Sequence, residues 1–351
     1  MRTAVGTMTG TSKDGIDAVA VKIEGFGFSM KPSFVSISSV PYGSLRNRLH
    51  SLSSENCDAS ELKAAGNEIG MLTATAISNL KIDHIDLIAL HGQTIYHEPP
   101  KSLQLLNPEP IVDRFNCTVL TDPRAADLQQ GGQGAPITPL ADWIMFREEK
   151  KSVGIVNLGG FCNITILEAN GQPCGVRGFD LCCCNLLLDS ISRSRLNKPY
   201  DENGSHAEIG LVNIILYKQL KEKLNEQYNQ NRSLGSGDDF GQWILEQGSK
   251  IKTSDLLATT TKAIGSFISE IVESVDQILI AGGGVNNKSL VRAIGEKAQK
   301  TDVLGVPAQA REAMSMAILA ALDRDGISIT LPQITGRKET TEVVGWVQVS
   351  P

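Results

Sequence analysis

One pattern limits what this chain can become: a short apolar strand, a glycine turn and a second strand, written twice. Thr3–Thr7 leads into Met8-Thr-Gly-Thr-Ser-Lys-Asp-Gly15, and Ile16–Ile23 leads back out. Further on, Val153–Leu158 meets Gly159 and Gly160, and Cys162–Leu167 returns. The strands are rich in β-branched residues, so each pair reads as a β-hairpin. A third glycine turn, Gly282-Gly283-Gly284, follows the apolar run Gln277–Ala281. Glycine tips let backbone N–H groups approach an anion closely and point at it together. Two such hairpins in two halves, with a late strand and GGG turn, predict two similar α/β domains gripping one nucleotide.

The size agrees: 351 residues exceed one usual core. A hydrophobic fraction of 41% and a charged fraction of 21% are ordinary for a globular protein. The net charge of −6, without a block of like charges, argues against nucleic acid or an anionic membrane as partner. No apolar run approaches the roughly 20 residues that cross a bilayer. The N-terminus enters a strand at once and lacks the apolar region of a signal peptide, so the cytoplasm is expected, with the 7 cysteines reduced.

Along the chain, Gly25–Ser53 reads as strand and loop. Asp58 can cap a helix, with Glu61 placed as in a capping box, and Leu62, Ala65, Ile69, Leu72 and Ala76 follow at helical spacing. Ile85–Leu90 is a short strand that delivers His91-Gly-Gln-Thr94 at its C-terminal end, where ligands sit in open α/β sheets. Gly131-Gly-Gln-Gly-Ala-Pro136 reads as a mobile loop or a domain junction. Helices are expected over Pro139–Phe146, Leu186–Ser192, Leu257–Val275, Lys288–Lys300 and Arg311–Arg324. Asn225–Asp239 reads as a surface loop or moving segment, and Val343–Val349 as a strand.

An ordered set of motifs then carries a resemblance. It comprises Gly10–Gly15, His91-Gly-Gln-Thr94, Arg124-Ala-Ala-Asp127, Gly131–Pro136, and Asn157-Leu-Gly-Gly160 with Asn163. It continues with Gly178-Phe-Asp180, Gly282–Gly284 with Asn286, Glu312-Ala313, and Leu331-Pro-Gln-Ile-Thr-Gly336. The chain resembles the anhydro-N-acetylmuramic acid kinases, of the actin/hexokinase/Hsp70-like ATPase superfamily; levoglucosan kinase shares most of these motifs. It departs in Lys13 where that family usually has Leu, Leu106 where it has Gly, and Pro123 where it has an aromatic. Asp180-Leu-Cys-Cys-Cys-Asn185 replaces Asp-Thr-Gly-Pro-Gly-Asn. Larger side chains there would fill part of the sugar pocket, or keep backbone N–H groups from a ligand.

The resemblance implies two actin-like, ribonuclease H-like α/β domains with an interdomain active-site cleft. The domains are expected over residues 1–135 with 335–351, and 136–334. It implies ATP and Mg²⁺, with ATP on Gly10, Thr11, Ser12, Lys13, Asp14, Gly15, Asn157, Gly159, Gly160, Gly282, Gly283, Gly284 and Asn286. Lys13 either adds charge there or points to water. Asp14, with Asp17 beside it, and Glu312 are the metal candidates, since Mg²⁺ takes oxygen ligands and keeps much of its hydration. A capping Asp and an exposed helix Glu are the plain alternatives. Asp180 is the implied catalytic base. His91, Gln93, Thr94, Arg124 and Asn185 would bind the sugar, Arg124 by a bidentate contact to a carboxylate.

Cys182, Cys183 and Cys184 read as small apolar filler, because consecutive side chains diverge and poorly form one metal site. The implied function is hydrolytic opening of 1,6-anhydro-N-acetylmuramic acid with phosphorylation at O6, in cell-wall recycling. A kinase for another anhydrosugar such as levoglucosan, or a non-catalytic nucleotide-binding paralogue, stays open at this stage. So does a homodimer. The partners expected are an anhydrosugar and ATP, with no nucleic acid and no membrane.

Overall fold

A computed structural model describes residues 1–10, 13–52, 58–235 and 237–349. The chain divides into two compact units. The first comprises Met1–Arg147, Gln172–Arg177 and Leu304–Pro351; the second comprises Glu148–Gly171 and Gly178–Val303. The strands in chain order are β1 Arg2–Thr9, β2 Gly15–Glu24, β3 Lys31–Pro41, β4 Leu87–Leu90, β5 Gln93–Glu98, β6 Lys101–Leu105, β7 Thr118–Thr121, β8 Val153–Leu158, β9 Phe161–Leu167, β10 Arg177–Cys183, β11 Gln277–Ala281, β12 Ala298–Lys300 and β13 Val347–Val349.

In the first unit the main sheet has the order β13-β7-β4-β1-β2-β3, and β5 and β6 form a separate hairpin. β1, β2 and β3 run antiparallel in sequence. β4 joins β1 and β7 joins β4 in parallel, and β13 closes the edge antiparallel to β7. The helix Ala59–Asn79 buries Ala65, Ile69 and Ala76, the expected stripe, in one cluster with Val5, Ile88 and Leu90. Asp58 caps this helix by accepting from the Ser60 N–H at 3.0 Å. The helix Arg311–Arg324 lies against β1, where a Cβ on Gly6 would fall 1.9 Å from the Ala313 carbonyl oxygen. Only glycine allows that approach. β4 is buried along its whole length, as a central parallel strand between two covered faces must be.

In the second unit the order is β10-β9-β8-β11-β12. β8 and β9 are antiparallel, while β11 pairs in parallel with both β8 and β12. Each unit therefore has a central first strand, an antiparallel second, a third outside it, and parallel fourth and fifth strands on the other side. Two similar α/β units are what the repeated hairpins predicted, and this strand order is the ribonuclease H-like design that the resemblance implied. Ser152 and Asp276 lock the starts of β8 and β11: the Ser152 N–H and hydroxyl both donate to Asp276 Oδ2 at 2.8 Å.

Several boundaries differ from the sequence reading. The helix expected over 288–300 ends at Ile294, because Gly295 takes φ +128° and the chain turns into β12. The helix Ile214–Tyr228 absorbs the first residues of the supposed loop 225–239. Within 25–53 there is an eleven-residue strand, β3, and also a helix, Leu45–Ser51. The last strand shrinks to β13. Among the described residues, no helix is long and apolar enough to cross a membrane.

Candidate active site

The first glycine turn joins β1 to β2. Thr11 and Ser12, predicted to bind phosphate, lie outside the described residues. The Lys13 N–H donates to the Gly10 carbonyl at 3.2 Å, with Lys13 in the left-handed region at φ +52°. Its ammonium is turned to a protein carbonyl. It is 9% exposed and donates to the Leu49 carbonyl at 3.0 Å, and burial lowers its pKa. Asp14 is exposed, and its carbonyl accepts from the Tyr42 N–H at 2.9 Å.

Asp17 is half-buried and accepts from Ser39 Oγ at 2.5 Å and Gln309 Nε2 at 3.3 Å. Burial pushes its pKa up, and the charge of Asp14 adds to this. Glu312 stands in the first turn of the helix Arg311–Arg324. Burial raises its pKa too; Asp142 and Asp17 add to the rise, while Arg311 and Arg124 oppose it. It is therefore no plain surface glutamate. Just before it, Arg311 is fully buried and grips Asp142 with two nitrogens, its Nε at 2.8 Å from Oδ1. That pair fixes the start of the helix that presents Glu312.

His91, Gln93, Thr94 and Arg124 come together in the first unit. Arg124 donates to His91 Nε2 at 3.3 Å and to the Gly134 carbonyl at 3.0 Å. A guanidinium only donates, so His91 Nε2 is the acceptor and the imidazole proton sits on Nδ1. Burial, reinforced by the charge of Arg124, takes the His91 pKa down to about 3. His97 is pulled down to about 4 for the same two reasons. Gln93 is fully buried and donates to the Gly10 carbonyl at 3.2 Å, and Thr94 donates to Gln104 Oε1 at 2.8 Å. His91 and Gln93 thus spend hydrogen bonds on neighbouring protein groups.

The loop Gly131–Pro136 is tied down rather than loose. Buried Asp127 accepts from the Gly134 N–H at 2.8 Å and from Thr335 Oγ1 at 2.7 Å, and the Gln133 N–H donates to the Thr335 carbonyl at 2.8 Å.

In the second unit, the hairpin tip caps a helix. The carbonyls of Gly159 and Gly160 accept from the N–H groups of Asn185, Cys184 and Leu186, where the helix Asn185–Leu196 begins. The Gly159 and Gly160 N–H groups themselves donate to no described group, which leaves two backbone donors for an anion. Gly282 takes φ +82°, and a Cβ there would come 2.8 Å from Asn157 Oδ1 and 3.0 Å from the Leu158 backbone. Gly283 is open: a Cβ there meets nothing within 4 Å. Asn157 is buried, and Asn185 Nδ2 holds the Leu158 carbonyl at 2.9 Å. Asn286 is exposed, and its neighbour Asn287 caps the helix Lys288–Ile294 through the Leu290 N–H at 3.0 Å.

Cys182, Cys183 and Cys184 are fully buried. They fill the interior of this unit and do not project from it. The N–H groups of Cys183 and Cys184 are taken by Gln227 Oε1 and the Gly160 carbonyl. Burial keeps all three thiols well above their ordinary pKa, Cys184 at about 12, so they are inert at neutral pH. Among the described residues no group of three or more His, Cys, Asp or Glu could hold a metal ion by itself.

Asp180, on β10, is half-buried, and its Oδ2 accepts from the Leu234 N–H at 2.8 Å. Sequence reasoning missed this partner, as it missed Gln227 and the Arg311–Asp142 pair; Asp127 stood in a motif but without a role. Asn287 was within reach, since an Asn directly before a helical run is a capping signal. A backbone donor such as that of Leu234 carries no residue signature.

Comparison with known proteins bears on the whole chain. The family model of anhydro-N-acetylmuramic acid kinase matches residues 2–348. The anhydro-N-acetylmuramic acid kinase of a Bacillus cereus strain is 30% identical over 99% of this chain and 99% of its own. That of Salinibacter ruber is 30% identical over 97% of this chain and 94% of its own. Among solved structures, the activator of the 2-hydroxyisocaproyl-CoA dehydratase from Clostridium difficile covers 92% of this chain and 96% of its own, at 12% identity and a TM-score of 0.47. With its motifs in order and matched from end to end, the chain belongs to the anhydro-N-acetylmuramic acid kinase family.

Proposed function

We propose that the protein opens 1,6-anhydro-N-acetylmuramic acid with water and phosphorylates O6 from ATP, giving N-acetylmuramic acid 6-phosphate for cell-wall recycling in the cytoplasm. The observation that carries this reading is the family match over residues 2–348, which runs through Asp180.

Asp180 takes the proton of a water molecule as that water attacks the anomeric carbon. The C1–O6 bond breaks with its electron pair on O6, and O6 attacks the γ-phosphorus as ADP leaves. A half-buried carboxylate accepting a backbone N–H suits a base that must be ionised before it acts. Arg124 is assigned to the lactyl carboxylate, a group that levoglucosan lacks. The Gly159 and Gly160 N–H groups, with the turn at Gly10–Gly15 and the Gly282–Gly284 turn, are assigned to ATP.

Mg²⁺ fits the carboxylates of the first unit. Asp17 and Glu312 have pKa values raised by burial and further by neighbouring negative charge, a strain that a bound cation relieves. Mg²⁺ is commonly held through one or two carboxylates, phosphates and water, so a cage of three side chains is not required. When bound, it would screen the charge of the phosphate chain. Asp14 and Glu312 are the residues assigned to hold it.

A coupled ADP-release assay over a panel of anhydrosugars tests the reading. Turnover should depend on 1,6-anhydro-N-acetylmuramic acid and be far weaker with levoglucosan. Preference for levoglucosan would reassign the substrate, and ATP binding without turnover on any sugar would make the protein a non-catalytic member of its family.

A further inference from the structure

The described residues of the polar stretch, 229–235 and 237–240, meet Asp180 at Leu234. Arg232 clamps Asp238 from both nitrogens, NH1 to Oδ2 at 2.9 Å and NH2 to Oδ1 at 2.5 Å. Within the closed loop, the Gly235 N–H donates to Asp238 Oδ2 at 2.8 Å. The Leu234 N–H, on the same turn, donates outward to Asp180 Oδ2 at 2.8 Å. Buried Gln227 adds a second tie: its Nε2 donates to the Asp238 carbonyl at 2.9 Å, and its Oε1 accepts from the Cys183 N–H at 2.7 Å. Cys183 lies three residues beyond Asp180 on β10. The loop is thus fastened to one strand at two points, and one of them is the carboxylate.

We infer that this loop is a positioning element for Asp180, in which the Arg232–Asp238 clamp and the Gln227 bridge hold the Leu234 N–H on one carboxylate oxygen. The inference rests on Asp180 being the base of the proposed reaction. An N–H donated to a carboxylate favours its ionised form and fixes its orientation. Orientation matters because a misplacement of about 1 Å at a reacting group costs up to about 10²-fold in rate. The clamp adds little stability by itself: Arg232 is 45% exposed, and exposed ion pairs are worth little. Its contribution is geometric. Among the described residues, the Cys162 thiol on β9 is an ionisable group that feels the Asp180 charge, which helps to raise its pKa.

Two variants test the inference. Leu234→Pro removes the donor itself, and Arg232→Gln opens the clamp to Asp238. Two readouts are taken in the full-length protein: steady-state ADP release with anhydrosugar, and a ¹³C NMR titration of the Asp180 carboxyl assigned with Asp180→Asn. In both variants kcat should fall about 10- to 10²-fold while KM for ATP moves less than about 2-fold, and Arg232→Lys should restore part of the loss. The Asp180 midpoint should rise, because the ionised form loses a donor. If Leu234→Pro does not fold, Arg232→Gln alone decides. Wild-type kcat and an unmoved midpoint in a folded variant would overturn the inference. Should the wild type turn over no sugar, the proposed reaction fails, and the titration still decides whether the loop holds the carboxylate.

Discussion

Arg124 and Asp180, the charged groups assigned to the sugar, are held in different ways. Arg124 is gripped by side chains and carbonyls from well-separated parts of the first unit. His91 and Gly134 take its N–H groups, Asp127 holds Gly134, and Thr335 holds Asp127. Asp180 is held by a backbone N–H from a loop that closes on itself through its own ion pair. The first arrangement draws on the packed body of its unit, so the guanidinium should be hard to move. The second includes a contact from one loop, so the carboxylate's direction should respond to that loop. On the proposed reading, one group holds a fixed charge and the other exchanges a proton.

The sharpest way to break this contrast is Asp180→Asn. The amide is nearly isosteric and its oxygen can still accept the Leu234 N–H, but it takes no proton at neutral pH. Base catalysis typically supplies about 10²- to 10⁴-fold, so kcat should fall by that range while unfolding and ATP affinity change little. A variant that keeps more than roughly a tenth of wild-type kcat would remove the base assignment, given the size of that contribution.

A second test is acid. His91 and His97 both sit near Arg124 and are both neutral in the folded protein, with pKa values of about 3 and about 4. The unfolded chain binds a proton on each near the ordinary value, about 6.5. The stability this neutrality supports is therefore complete above that value and declines as pH falls toward the folded values. Between pH 7 and 4.5 each histidine should cost about 2–3 kcal/mol of unfolding free energy. Urea unfolding across that range should show this steep loss, and His97→Gln should flatten it by about half. An unchanged slope in the variant would mean that His97 is protonated in the fold.

His91→Phe separates positioning from charge. The ring is kept and the acceptor for Arg124 is lost. A hydrogen bond to a charged group is worth about 1.5–3 kcal/mol, so KM for the carboxylate-bearing sugar should rise by about 10-fold or more. kcat should move less, and neither constant should acquire a titration near pH 6.5, because His91 is already neutral there. A variant whose KM stays at the wild-type value would free Arg124 from its dependence on this ring.

These two regions also differ in how far the sequence disclosed them. The paired hairpins were legible because β-branched runs and glycine tips are local signals, and both sheets follow from them. Around Arg124 the participating residues could be named from their motifs, but their partners could not. His91 reads as a ligand-facing strand end, whereas it is buried against the guanidinium. The Asp180 surroundings were hardly legible, because its contact from Leu234 is made by a main-chain N–H whose direction no side chain announces. The three cysteines illustrate a third case. Their neighbourhood in sequence suggested a crowded pocket, yet Cys182 and Cys183 point to opposite faces of β10, both covered, and Cys184 is buried at the helix start. Which way a short apolar side chain points is settled by the sheet it joins.

The smallest expected effect concerns Lys13, where composition alone would favour a phosphate contact. A lysine in a glycine turn next to phosphates is a natural charge partner, and its loss would then weaken ATP binding strongly. In the structure its ammonium is buried and donates to the Leu49 carbonyl, and its pKa is lowered by burial. A group turned into the unit and desolvated in this way offers little to a ligand outside. Lys13→Leu should therefore leave the ATP dissociation constant within about 3-fold of wild type, less than the value of one charge-assisted hydrogen bond. The salt dependence of ATP binding should also be unchanged, since an exposed cation lost from a phosphate site flattens it. The left-handed backbone at this position is stressed equally by Lys and Leu, so the comparison isolates the ammonium. A loss of ATP affinity beyond about 10-fold exceeds what this geometry allows and would place the Lys13 ammonium on the phosphates, with the turn rearranged around the nucleotide.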